Sequence, residues 1–281
     1  VPAGEVFLLG AIAGLTIFFG LPVGRLRQMS PSLRALLNAI AIGILIFLLW
    51  DVLTNAVGPA QSSLRAASDG HGSWWAFAGS CATFMGCLGA GLLSLVYYDR
   101  WSAHRAERRR FGPGAASVAE LAQPRQALVR SGESLALLIA VGIGLHNFSE
   151  GLAIGQSAAR NEVSLALVLI IGFGLHNATE GFGIVAPLAV EDSRPRWTFL
   201  ALLGLIGGGP TFLGTVVGRS FVNETVFVAF LALAAGSILY VVIQLLNVAQ
   251  KMGHKEMLMW GILGGLVAGF ATDFVLTAAG V

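Results

Sequence analysis

The 281-residue sequence predicts an all-α, polytopic membrane protein, a single transmembrane domain of eight helices in a bundle. Three observations predict it. Hydrophobic residues make up 56% of the chain and charged residues only 11%, with a mean hydropathy of +0.77. A soluble domain of this size carries roughly twice that charge. Eight apolar stretches are long enough to cross a bilayer, which takes about 20 residues of helix. Backbone polar groups in hydrocarbon must find partners within the chain, so runs of this length are helices.

The spans are Val6 to Gly24, Ala35 to Val57, Trp74 to Tyr98, Leu135 to Ala159, Val163 to Val190, Trp197 to Gly218, Val226 to Val248 and Met257 to Ala279. The first opens without a basic leader or an evident cleavage site and is read as a retained span. In the third, Cys81 and Cys87 lie six apart with no CxxC, as small packing residues do. The fourth and fifth are close enough for a tight helical hairpin. The sixth is interrupted by Gly207-Gly208-Gly209-Pro210. The 37 glycines, among them Gly86, Gly91, Gly261, Gly265 and Gly269, are expected where membrane helices pack closely.

Of the 17 Lys and Arg residues, only Arg65, Arg160 and Arg219 fall in the loops after spans two, four and six; the rest lie in the alternate loops. Positive charge stays on the cytoplasmic side, which puts both termini on the non-cytoplasmic face. The longest loop, residues 99–130, is then cytoplasmic. It is basic, with Arg105, Arg108, Arg109 and Arg110 beside His104, and Gly112-Pro113-Gly114 marks a flexible part. Its arginines set topology and meet anionic lipid. A net charge of +2 offers no basis for a nucleic-acid partner.

One decapeptide recurs. Gly142-Ile143-Gly144-Leu145-His146-Asn147-Phe148-Ser149-Glu150-Gly151 is echoed thirty residues on by Gly172-Phe173-Gly174-Leu175-His176-Asn177-Ala178-Thr179-Glu180-Gly181. The ionisable residues within the spans are Asp51, His146, Glu150, His176, Glu180 and Asp273, with no Lys or Arg among them. Each buried charge costs about 2.5–3.5 kcal/mol on insertion scales. Two central carboxylates therefore need either protons or a cation from outside the chain.

The spacing favours a cation. His146 and Glu150 share one helix face, about 6 Å apart along the axis, and His176 with Glu180 repeats the arrangement on the next helix. Two imidazoles and two carboxylates suit tetrahedral Zn²⁺. Fe²⁺ or Mn²⁺ fit with added water, and the absence of thiolates speaks against Cu(I). Asn147 and Asn177 either ligate through the amide oxygen or hold the ligands from behind. Asp51, near Asn55, is a gate, a subsidiary ligand or a boundary residue reaching interfacial water. Asp273 reads as interfacial, and His71, His104 and His254 as solvated loop residues.

Eight spans with outer termini, a basic loop between spans three and four, and H-N-x-x-E in spans four and five resemble the ZIP (zinc/iron-regulated transporter-like, zinc/iron permease) family over nearly the whole chain. The resemblance implies import of Zn²⁺, and in some relatives Fe²⁺, Mn²⁺ or Cd²⁺, toward the cytoplasm through a site between helices four and five. His146, Asn147 and Glu150, with His176, Asn177 and Glu180, match the family's metal positions. It also implies an elevator-like carrier in the cell inner membrane, in many cases a homodimer, whose metal is cargo rather than cofactor. The chain departs from the family pattern at Ser149 and Thr179, where relatives carry Pro, so any kink there needs Gly151 and Gly181. Around Gly209, Pro210 and Thr211 no carboxylate supports a second metal, which leaves a mainly mononuclear site. Gln244 and Asn247 stand where relatives often have His or Glu.

The alternative from another class is a membrane-embedded metal-dependent hydrolase. H-E-x-x-H is absent, and with both glutamates used as ligands no general base remains. A metal-sensing or structural subunit would not need the polar set at mid-membrane.

Overall fold

The computed structural model describes residues 3–26, 30–110, 132–159, 177–188, 194–220 and 223–278; these are helices and their connections, with no strand among them. The helices are α1 (Ala3–Leu15), α2 (Pro31–Ser68), α3 (Trp74–Arg110), α4 (Gly132–Ala159), α5 (177–188), α6 (Trp197–Ser220), α7 (Glu224–Lys251) and α8 (Lys255–Ala278). Among the described residues seven segments are long and apolar enough to cross a membrane. Of the fifth expected span, Val163 to Val190, residues 177–188 are described, as α5, and the rest lies outside the described residues.

Local chemistry starts and stops these helices. The Ser30 hydroxyl accepts from the Leu33 N–H at 3.2 Å and Pro31 occupies the first turn, where no donor is needed. The Asn223 side chain caps α7 in the same way, accepting from the Val226 N–H at 3.0 Å. Gly70, at φ 75°, turns the chain between α2 and α3.

Three expectations are corrected. The first span is not one α-helix: after Leu15 it tightens into 3-10 turns over Thr16–Phe19 and Leu21–Arg25. The sixth is unbroken, with Pro210 inside α6, because its glycines serve close approach rather than chain reversal. Helix α3 continues through Arg110, so residues 99–110 are helical, as their Ala, Glu and Arg content favours; 111–131 lie outside the described residues. Helix α4 runs without interruption from Gly132 to Ala159, and Gly151 within it packs on Thr211 of α6.

The close glycine contacts join one group of four helices and two further pairs. In the group of four, α1, α4, α5 and α6 are joined at backbone distance. A β-carbon on Gly14 would sit 2.2 Å from the Gly208 carbonyl oxygen, one on Gly151 2.1 Å from that of Thr211, and one on Gly181 2.3 Å from that of Ile17. Only glycine lets helices meet so closely. Among the remaining helices α2 is joined to α8 through Gly43 and Gly265, and α3 to α7 through Gly91 and Gly236, with carbonyl oxygens 2.1–2.2 Å from the built β-carbons; these two pairs meet each other by ordinary packing and together form the second group.

Where the groups face each other the approach is looser. A β-carbon on Gly142 of α4 would lie 3.4 Å from Ser237 of α7, and one on Gly183 of α5 would lie 3.9 Å from Ala41 of α2. Phe148 and Phe230 stack across the same boundary at 4.7 Å. Contacts of this kind are ordinary side-chain packing over the main apolar core, which includes Leu45, Ile139, Ile143, Ile184 and Leu245.

The same contacts fix directions. Gly10 and Gly14 meet Thr215 and Gly208, so α1 and α6 are antiparallel; Gly144 and Gly155 meet Ile206 and Thr215, so α4 and α6 are parallel. Gly20 and Gly24 meet Ala178 and Val185, which aligns α5 with the chain leaving α1 and opposes it to α4. Of the glycines read as helix contacts, Gly91, Gly261, Gly265 and Gly269 make them, whereas Gly86 has nothing within 4 Å.

Candidate metal site

His146, Asn147 and Glu150 project from the middle of α4, and Asn177 and Glu180 from the start of the described part of α5. All five are buried, with Asn147 and Asn177 at 0% exposure and Glu180 at 1%. His146 Nε2 lies 3.1 Å from Glu150 Oε1, the contact that an i, i+4 spacing allows.

Two amides hold the framework. Asn147 Nδ2 donates to Glu180 Oε2 and to the Gly207 carbonyl, each at 3.0 Å, linking α4 to α5 and α6. Asn177 Nδ2 donates to the Ala13 carbonyl at 3.0 Å, tying α5 to the last α-helical turn of α1. Thr16 Oγ1 donates to the same carbonyl, at the place where α1 tightens into 3-10 geometry. A carbonyl or carboxylate oxygen only accepts, so both amides are fixed with nitrogen toward these partners. Asn147 Oδ1 and Asn177 Oδ1 then face the other way, buried and without a donor among the described residues.

Helix α6 contributes backbone and small side chains. Pro210 has no N–H, which spares the Ile206 carbonyl, and Gly144 of α4 packs directly on it. Thr211 Oγ1 and Ser149 Oγ are also buried without hydrogen-bond partners among the described residues. Ser149 and Thr211 were absent from the sequence-based site, since a lone hydroxyl in an apolar run gives no periodic signal.

The described residues bring together His146 with Glu150, and Asn147 with Glu180. Glu180 lies within electrostatic reach of both Glu150 and His146. His176 lies outside the described residues, and among those described no group of three or more His, Cys, Asp or Glu is placed to hold a metal ion. Asp51 is half-buried on α2, its Oδ1 accepting from Asn55 Nδ2 at 3.1 Å. Its charge reaches His146 and Glu150, and Asp273 of α8 lies within reach of Asp51. Asp273 is 222 positions from Asp51, and only the α2–α8 contact brings them together. His71 and His254 are exposed.

Chemically the site is rich in acceptors and poor in donors. Neutral imidazole, carboxylate and amide oxygen are the ligands that a borderline divalent cation takes. The fold and these residues define a polytopic α-helical membrane protein with a buried polar centre on its fourth and fifth helices.

A family model described as ZIP Zinc transporter matches residues 119–276. The chain is 31% identical over 269 residues to the Zinc transporter ZupT of Akkermansia muciniphila, covering 93% of this chain and 94% of that protein. It is 31% identical over 267 residues to the Zinc transporter ZupT of Nitratidesulfovibrio vulgaris, covering 90% and 92%. The chain belongs to the ZIP zinc transporter family. That membership sets it among transporters and not among enzymes, and it disfavours the hydrolase alternative.

Proposed function

We propose that this protein carries a divalent transition-metal cation, Zn²⁺ foremost, across the cell inner membrane toward the cytoplasm, with both termini on the outer side. His146, Asn147, Glu150, His176, Asn177 and Glu180 form a mainly mononuclear site, and Fe²⁺, Mn²⁺ and Cd²⁺ are secondary substrates. The observation that carries this reading is the pair of amide oxygens, Asn147 Oδ1 and Asn177 Oδ1, buried without a donor among the described residues on the two helices that bear His146, Glu150 and Glu180. Such a set of acceptors is stabilised by a cation.

Transport follows an elevator-like course, in which the α1/α4/α5/α6 group slides against α2/α3/α7/α8. Support comes from the backbone-tight glycine contacts that hold α1, α4, α5 and α6 together, against the ordinary packing of that group on α2 and α7. Helices seated carbonyl to glycine move as one body, whereas a side-chain interface can shear. Leu45, Ile139, Ile143, Ile184 and Leu188 belong to one buried apolar core shared by the two groups. The half-buried Asp51, beside exposed Asn55, is a subsidiary ligand and gate on the way in. A homodimer belongs to this reading: the outward Gly79, Gly86 and Gly89 of α3 have nothing within 4 Å, leaving room for a second copy.

The test is Zn²⁺ flux into proteoliposomes. Wild type moves the ion, and Glu150→Ala combined with Glu180→Ala abolishes movement while the protein remains folded. Unchanged flux in that double variant would remove the site from the mechanism.

A further inference from the structure

Outside the site, the described residues hold one more polar side chain whose burial calls for a reason. Asn38 of α2 is 1% exposed, and neither its Nδ2 nor its Oδ1 has a hydrogen-bond partner among the described residues. A buried amide with no partner disfavours folding, and an apolar residue of similar shape removes that cost. Its neighbours show no such feature: Ala41, Leu45 and Leu48 are apolar and buried.

Its position is informative. Asn38 stands three residues before Ala41 and seven before Leu45, so all three share one face of α2. Ala41 and Leu45 are the residues that meet Gly183 of α5, at 3.9 and 4.0 Å from its built β-carbon. The face of α2 that carries Asn38 is therefore the face opposed to the group holding the metal site. Asp51, at the other end of this apolar wall, lies thirteen residues further on, about 20 Å along the helix. The polar positions of α2 thus bracket a dry stretch, Asp51 within reach of His146 and Asn38 toward the basic-loop end.

We infer that Asn38 is a way-station for the departing cation, a substrate-contacting residue in the half of the path that leads to the cytoplasm. When the α1/α4/α5/α6 group slides toward that end, its site leaves Asp51 and approaches Asn38. The amide oxygen then replaces one ligand of the divalent cation as the ion leaves. An amide oxygen suits this role, since an oxygen ligand on the way out lowers the barrier to departure of a divalent cation. The inference rests on the carrier reading given above.

The test pairs transport with stability. Wild type, Asn38→Leu, Asn38→Asp and Glu180→Ala are reconstituted for Zn²⁺ flux, and the same proteins are melted in detergent. Asn38→Leu is expected to lower the saturating flux about fivefold, the scale of one lost polar contact. Its KM is unchanged and its Tm equals or exceeds that of wild type. Asn38→Asp, which keeps an oxygen in place, transports faster than Asn38→Leu. Wild-type flux in Asn38→Leu would overturn the inference, as would a flux loss that comes with a lower Tm, which marks a structural hydrogen-bonding group. An Asp variant no better than the Leu variant would overturn it as well. If wild type itself carries no Zn²⁺, the carrier reading and the way-station fall together. If wild type carries Zn²⁺ and Glu180→Ala does not, any failure belongs to Asn38 alone.

Discussion

Asn147 donates from one amide nitrogen to Glu180 Oε2 and to the Gly207 carbonyl, both at 3.0 Å, so a single side chain joins three helices. The bond sets the position of a carboxylate that stands 33 residues away in sequence.

Removing that bond should loosen the site without emptying it. Asn147→Ala is expected to weaken Zn²⁺ binding about 10–100-fold, the range usual for groups that orient metal ligands. Competition against a fluorescent chelator measures it. An affinity within twofold of wild type would show that Glu180 is held by other means.

The glycine contacts separate positions that look alike in sequence. Gly208→Ala sets a methyl 2.1 Å from the Gly14 carbonyl oxygen and should cost about 1–3 kcal/mol, as overpacking does. Gly79→Ala meets open space and should stay within about 0.5 kcal/mol of wild type. Thermal melts in detergent compare the two, and equal losses would mean that the α1–α6 contact is not close.

Relative motion of the two groups can be arrested. The built β-carbon of Gly183 lies 3.9 Å from that of Ala41, within the range of about 3.5–4.5 Å that a disulfide spans. With Cys81 and Cys87 replaced by Ser, the pair Ala41→Cys and Gly183→Cys should cross-link under oxidation and stop transport, and reductant should restore it. Full transport by the cross-linked protein would exclude sliding between α2 and α5.

Acidification should weaken metal binding. The imidazole of His146 must be neutral, and the carboxylates of Glu150 and Glu180 ionised, to act as ligands, so protons compete with the cation at each. Titration calorimetry at descending pH should show falling Zn²⁺ affinity and proton release on binding. Affinity that rises toward acid pH would rule out this ligand set.

Much of this protein was legible one residue at a time. Long apolar runs force helices because hydrocarbon offers the backbone no other partner. The repeated His, Asn and Glu were visible because a helix brings i and i+4 together regardless of what surrounds it. Gly207-Gly208-Gly209-Pro210 read as an interruption because glycine and proline weaken an isolated helix. Only packing against α1 shows why α6 keeps them.

The rest depended on which helices touch. The sequence by itself determined the class of protein and nominated the residues proposed to bind a cation, since both follow from local composition and helical periodicity. The tertiary structure decided that Asn147 turns its nitrogen to Glu180, that α2 packs on α8, and that glycine contacts lock α1, α4, α5 and α6 together. Those relations span tens to hundreds of residues. They are set by the shapes of opposing helix faces, which no single stretch of chain contains.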